Sequence, residues 1–290
     1  DPTKPSFSIK VNGLGFDPKN RKVPKDYATI QEAIDAAVDG DTILVGPGTY
    51  AGGLDTKNKW LKIKSTQGPE LTIIDGKGVG IGLVISPIES ATDQFELEGI
   101  TFTNNEQGVF VSGATPTGTI KNCVFYRNKG GHRGSAIQTN SKITIEGCQF
   151  IENEAWFSAL QGDGDGRWSF LTKNSVFIRN LGRDGGGSLH DHGPVENCTF
   201  IGNRSKQGAW DEMNNGPILN SIFWDMRKPL QNYLNVTHSI VQFAKEGEGN
   251  LDADPLFLDL ANDDYRLSAA SPAIDAGDPD SPKDSDGTRA

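Results

Sequence analysis

The chain has 290 residues, 28 Lys and Arg against 38 Asp and Glu, a formal charge of −10, and 35 Gly against 2 Met. That acidity argues against general binding to nucleic acid or to an anionic membrane surface, and no apolar run approaches the length of a membrane span. The length could fill two compact domains, but a glycine-rich chain with internal repeats is better accommodated as one elongated all-β domain over residues 1–290.

Residues 1–26 are polar and rich in Lys and Pro, an irregular lead-in with one candidate strand at Phe7–Val11. The chain opens at Asp1-Pro2 rather than Met, and the expectation is a processed, exported protein. Thr29 with Glu32 three positions on makes a helix start, and Ile30, Ala33, Ile34, Ala37 and Val38 supply its apolar stripe. Such a helix can plug an open end of stacked strands, which would otherwise leave unpaired backbone and apolar surface in water. Asp39-Gly40-Asp41 reads as a turn, Thr42–Val45 as a first strand with a bend at Gly46–Tyr50, and Trp60–Lys64 and Leu71–Asp75 as further strands.

From Leu97 to Trp224 one phrase recurs. Phe102, Phe125, Phe150, Phe177 and Phe200 are each followed three residues later by Asn105, Asn128, Asn153, Asn180 and Asn203; Phe223 keeps the Phe and has Met226 in place of Asn. The interval of 23 to 27 residues leaves no room for a helix. It fits a solenoid whose coils lie in parallel, with identical residues stacked about 4.8 Å apart. The Asn row is then a structural ladder and the Phe row is core. Cys123, Cys148 and Cys198 share one repeat position with Ile100, Ser175 and Ser221, so they read as small buried ladder residues rather than a disulfide, a metal site or a nucleophile. Ser239–Val241 looks like a degenerate last coil.

The Phe-x-x-Asn phrase, the Gly-rich segments Gly134–Ile137, Gly187–Leu189 and Gly208–Trp210, and the opening Tyr27–Ile34 resemble the right-handed parallel β-helix proteins of the pectate-lyase-like superfamily. The stretch Leu251–Phe257 with Tyr265–Leu267 and Ser271–Gly277 resembles the closing segment of secreted β-helix proteins. The resemblance implies a right-handed parallel β-helix with a short N-terminal capping helix. It does not choose among lyase, hydrolase, epimerase, esterase and adhesin.

A solenoid binds on an exposed wall. Aligning the strand after each Asn puts Val109, Ile137, Leu160, Leu189 and Trp210 inward and Phe110, Gln138, Gln161, His190 and Asp211 outward; two residues on, Asn140, Asp163, His192 and Met213 share the outward face. The neighbouring loops add His132, Arg133, Arg167 and Arg183, and over residues 121–206 Lys and Arg outnumber Asp and Glu. A locally cationic groove on an anionic protein suits an acidic glycan.

Within the superfamily, uronate polymers are cleaved by β-elimination, which needs a cation for the carboxylate, a base for the C5 proton and an acid for the leaving oxygen. Arg183 or Arg133 is expected in the first role, His190 in the second, and His192 or His132 in the third. Gln138, Gln161, Asn140, Arg167 and Trp210 would bind substrate. The catalytic Arg- and Lys-bearing segment of the lyases and their full set of calcium carboxylates do not align here; Asp163 and Asp165 are the calcium candidates. Two other readings stand beside the lyase. One is a glycoside hydrolase pairing Asp163 with Asp211 or Glu212. The other is a carbohydrate-binding β-helix stacking Phe110, Trp156, Trp168 or Trp210 on sugar rings. The expected state is a monomer.

Overall fold

The computed structural model describes residues 19–86, 94–113, 117–130, 134–162, 170–190, 193–207, 216–230, 234–243 and 246–281. They form a parallel β-solenoid with ten-, nine- and six-stranded walls, named here walls 1, 2 and 3 in the order one coil visits them. A three-stranded ribbon, Glu154–Ala155, Leu181–Gly182 and Arg204–Ser205, bridges walls 2 and 3 in the middle coils.

One helix, Ile30–Ala36, is closed by the expected capping box: Thr29 Oγ1 accepts from Glu32 N, and the Glu32 carboxylate reaches back to Thr29 N. Ile30, Ala33, Ile34 and Ala37 are buried, but Val38 is 50 % exposed because the helix ends before it. The chain there is pinned instead by Asp41, which accepts from Lys19 N, Val38 N and the Arg21 guanidinium. Asp41 is therefore a buried structural carboxylate as well as a turn residue. Asn20–Val23 pairs with Thr42–Val45 in wall 1, so part of the stretch expected as lead-in belongs to the first coil. The candidate strand at Phe7–Val11 lies outside the described residues.

Two stacks run through the interior. The rings of Phe102, Phe125, Phe150, Phe177, Phe200 and Phe223 lie face to face at 4.5–5.4 Å. Beside them, each Asn Oδ1 from Asn128 to Asn203 accepts from both the backbone N–H and the Nδ2 of the Asn one coil earlier. The second Nδ2 proton of Asn128, Asn153, Asn180 and Asn203 goes to a Phe carbonyl. The ladder begins at Asn105, whose Oδ1 is buried without a partner. The cysteines are buried and unbridged. Cys148 N and Cys198 N donate to Ser175 Oγ and Ser221 Oγ of the next coil.

The C-terminal segment does not simply continue the stack. Phe257–Asp259 and Asp264–Leu267 make an antiparallel hairpin that lies along the flank, where Arg179 pairs with Asp263. Further on, Asn220 accepts from Asp278 N and donates to Ser281 Oγ.

Candidate functional site

The outward residues of the walls differ in kind. On wall 1, Lys64, Glu98, Lys121, Glu146, Lys173 and Glu196 stand in register one above another. Ion pairs of 2.8–3.8 Å link Lys64 to Glu96 and Glu98, Lys121 to Glu98, and Lys173 to Glu146. Alternating sign is the arrangement that removes like-charge repulsion from in-register parallel stacking, and it leaves a neutralised, solvated face. Among the described residues, wall 3 carries no such ladder. Its outward column runs Asp55, Val84, Phe110, Gln138, Gln161, His190.

Beneath that column Val109, Ile137, Leu160 and Leu189 are fully buried, so the strand alternation holds through four coils. Gln107 Nε2 donates to Gln138 Oε1 at 3.1 Å. Gln161 Nε2 lies 2.6 Å from Gly162 O and 3.0 Å from His190 Nδ1. The His190 imidazole also stacks on Phe157, with centroids 5.1 Å apart and planes at 28°.

Gln161 departs from expectation in one respect. It belongs to the outward column but is only 3 % exposed, and its Oε1 is buried without a partner. The backbone closes over it, since a Cβ at Gly134 would meet Ile137 O at 2.5 Å and Gln161 Cβ at 2.8 Å. Gln161 is thus placed to hold another side chain rather than to meet a ligand. Asn140 is exposed at the far edge of the wall, and its Oδ1 accepts from Gly113 N.

Arg183 lies on the shoulder between the ribbon and wall 3. Its Nε donates to Glu154 Oε1 at 3.2 Å, the same oxygen that takes Lys206 Nζ at 3.1 Å. Burial raises the Glu154 carboxyl, but the two cations more than offset this and hold it below the usual carboxylate range. The result is one carboxylate shared by two largely exposed cations, a locally positive rim. Neither Glu154 nor Phe157 was singled out by the sequence. Glu154 directly follows the ladder Asn153 in the repeat, which is the signal that could have found it.

His132, Arg133, Asp163, Asp165, Arg167, His192, Trp210 and Asp211 lie outside the described residues. Among the described residues no three His, Cys, Asp or Glu side chains converge on a point where a metal ion could sit.

The family described as "right handed beta helix region" matches residues 88–180. Among solved structures, pectate lyase Pel9A aligns with a TM-score of 0.55 at 16 % identity, over 88 % of each chain. Rice weevil pectin methyl esterase aligns with a TM-score of 0.38 at 14 % identity over 73 % of this chain and 82 % of its own. Aspergillus niger pectin methylesterase gives 0.33 at 11 % over 69 % and 85 %. No curated protein sequence matches this one. The coil-by-coil register, the matched region and the alignment with Pel9A together identify the fold, a right-handed parallel β-helix.

Proposed function

We propose that the protein acts on a polysaccharide, and that it is a lyase cleaving an acidic, uronate-containing glycan by β-elimination along wall 3. The observation that carries this reading is the column Gln138, Gln161, His190, in which an imidazole is held by a buried amide and an aromatic ring, with Arg183 and Lys206 on the adjoining shoulder. The fold, shared with a pectate lyase, is consistent with it. An extended glycan suits a wall whose side chains repeat at every coil, and an exported or cell-surface protein would meet such a chain.

In the elimination, a base removes the C5 proton, the C5–H electron pair becomes the C4=C5 double bond, the C4–O bond breaks, and the leaving oxygen takes up a proton. Abstraction at C5 puts negative charge onto the uronate carboxylate, so cationic and hydrogen-bonding groups at that carboxylate lower the barrier. Arg183 is the proposed cation. Calcium held by Asp163 and Asp165 would add a second positive charge, and chelation tests that part of the proposal.

The deciding experiment incubates the protein with uronate-containing and neutral glycans, with and without chelator. The lyase reading expects the ultraviolet absorbance of an unsaturated uronate. New reducing ends without that absorbance mean hydrolysis. Binding with neither product favours a carbohydrate-binding β-helix, for which Trp156, 41 % exposed, offers a stacking face.

A further inference from the structure

We propose that the early coils carry an anion subsite, a hollow on the corner between walls 2 and 3 where Lys77, Arg127 and Lys129 hold a carboxylate of the glycan away from the reacting centre. That the anion belongs to a uronate rests on the acidic-glycan reading above; that the hollow takes anionic oxygens does not.

The hollow comes from a change in one column of the repeat. The residue two places after each ladder Phe sits at the corner in the left-handed conformation, and successive coils place Asn104, Arg127, Glu152 and Arg179 there, with φ of 49–53°. The three long side chains pair: Glu152 takes Arg127 Nε at 2.7 Å through one oxygen and Arg179 Nη2 at 3.1 Å through the other. Asn104 is too short to extend that chain, and its Nδ2 donates instead to Asp75 Oδ1 at 3.3 Å. The column therefore opens into a hollow of about 490 Å³, whose charged lining among the described residues is Asp75, Lys77, Arg127 and Lys129.

That lining is unbalanced. The Asp75 Oδ1 that takes Asn104 also accepts from Lys77 N at 2.8 Å. Lys77 and Lys129 are exposed, and neither ammonium has an ion pair among the described residues. Lys129 stands one rung before Glu154 in the ribbon, yet that carboxylate is taken by Arg183 and Lys206. Arg127 commits only Nε to Glu152, and the Tyr126 ring, 4.7 Å from the guanidinium carbon, holds its plane. Its terminal nitrogens keep their N–H groups unclaimed among the described residues. On wall 1, by contrast, Lys64, Lys121 and Lys173 each meet a glutamate within 3.8 Å.

A fixed guanidinium fork with two mobile ammoniums around a concave space suits carboxylate or phosphate oxygens. The unpartnered Asn105 Oδ1 does not oppose an anion there. It is buried against Gly52, Gly76 and Gly82, where an added Cβ would meet it at 2.3–3.0 Å. Lys129 also opens the ribbon that leads to Arg183 and Lys206. With coils about 4.8 Å apart, an acidic glycan lying along the solenoid axis meets the hollow and the shoulder in turn.

The test is an NMR titration of the 15N-labelled full chain at low ionic strength, where such contacts are least screened, followed at the amides of Gly78, Asn104 and Arg127. The ligands are the methyl glycoside of a uronic acid, which has no inter-sugar bond to cleave, its uncharged methyl ester, and inorganic phosphate. Lys77→Gln/Lys129→Gln removes both ammoniums; Lys62→Gln/Lys142→Gln, on two exposed lysines of wall 1, changes the net charge equally elsewhere. Thermal unfolding checks that both variants fold.

The uronate and phosphate should shift these amides and the ester should not. The first variant should need about tenfold or more ligand, the scale of one hydrogen bond to a charged group, and the second should match wild type. Amides that stay still with both anions, or that respond alike in the two variants, overturn the inference. A response to phosphate alone overturns the uronate as ligand. Cleavage of a uronate polymer, measured separately, keeps the two readings apart: cleavage without binding in the hollow sinks the subsite, and binding without cleavage sinks the lyase.

Discussion

Asn153 donates both its backbone N–H and its Nδ2 to the single Oδ1 of Asn180, at 3.0 Å each, while its own Oδ1 receives the same pair from Asn128. Each rung is therefore both donor and acceptor, and deleting one strands partners on two sides. Asn153→Ala leaves two buried donors of Asn128 and part of Asn180 Oδ1 unsatisfied, and removes the side-chain donor from the Phe125 carbonyl. At about 1–3 kcal/mol for each unsatisfied buried group, the loss should exceed about 3 kcal/mol. Asn105→Ala should cost clearly less, because its Oδ1 already lacks a partner and its backbone N–H keeps Asn128. Urea-unfolding midpoints of the two variants check the order; equal shifts would falsify the ladder's directionality.

What the sequence made legible is what the solenoid repeats. The Phe and Asn stacks, the Cys and Ser row and the column Phe110, Gln138, Gln161, His190 are each set by one spacing used again in every coil, so one alignment predicts them all. Contacts made once left no such trace. Arg179 and Asp263 are 84 residues apart and belong to no repeat. The burial of Gln161 depends on how closely Gly134 lets the backbone approach, and periodicity cannot report that. Val38 fits the helical stripe, but the Asp41 carboxylate takes its N–H and ends the helix before it.

The hairpin on the flank should be released at both extremes of pH. Hydrogen bonds from Arg179 and Tyr265 hold the Asp263 carboxyl down at about 2. A depressed carboxyl stabilises docking above its unfolded value of about 4, and that contribution is lost as pH falls from about 4 towards 2. Burial, reinforced by Asp263, pushes the Tyr265 phenol up to about 12. A raised phenol contributes fully below its unfolded value of about 10 and loses its contribution as pH rises through about 12. Arg179→Ala should weaken docking at neutral pH as well. Hydrogen exchange is the readout: amides of residues 257–267 should exchange faster in the variant, while those of the Phe and Asn stacks stay protected.

Arg183 and Lys206 compete for one oxygen of Glu154, which leaves each cation partly available to an anionic ligand. If an acidic glycan lies across this shoulder, Arg183→Ala should raise KM about tenfold or more, the scale of one hydrogen bond to a charged group, and should flatten the dependence of binding on salt. Glu154→Gln should lower KM, because it removes the carboxylate that the substrate must displace. Affinity for a neutral glycan should be unchanged in both. Steady-state kinetics at two ionic strengths separate these outcomes, and an Arg183→Ala effect equally large on a neutral glycan argues against a role in charge recognition.

The cysteines give a prediction that separates a structural row from a reactive one. Burial pushes the Cys198 thiol up to about 12, and burial together with the neighbouring Cys123 raises Cys148 as well. The thiolate is the nucleophile, so at pH 8 neither residue should react with iodoacetamide in the folded protein, and both should react once urea unfolds it. The row also predicts which replacement is tolerated. Ser175 and Ser221 occupy the same position and donate through Oγ to Lys173 O and Leu219 O, as Cys198 Sγ does to Glu196 O. Cys198→Ser should therefore keep the hydrogen-bonding pattern and change stability by less than about 1 kcal/mol. Cys198→Val, though apolar and close in size, leaves Glu196 O and Thr172 O without the thiol and should cost about 1–3 kcal/mol. If valine is tolerated as well as serine in thermal unfolding, the row is held by packing alone and its hydrogen bonds contribute nothing.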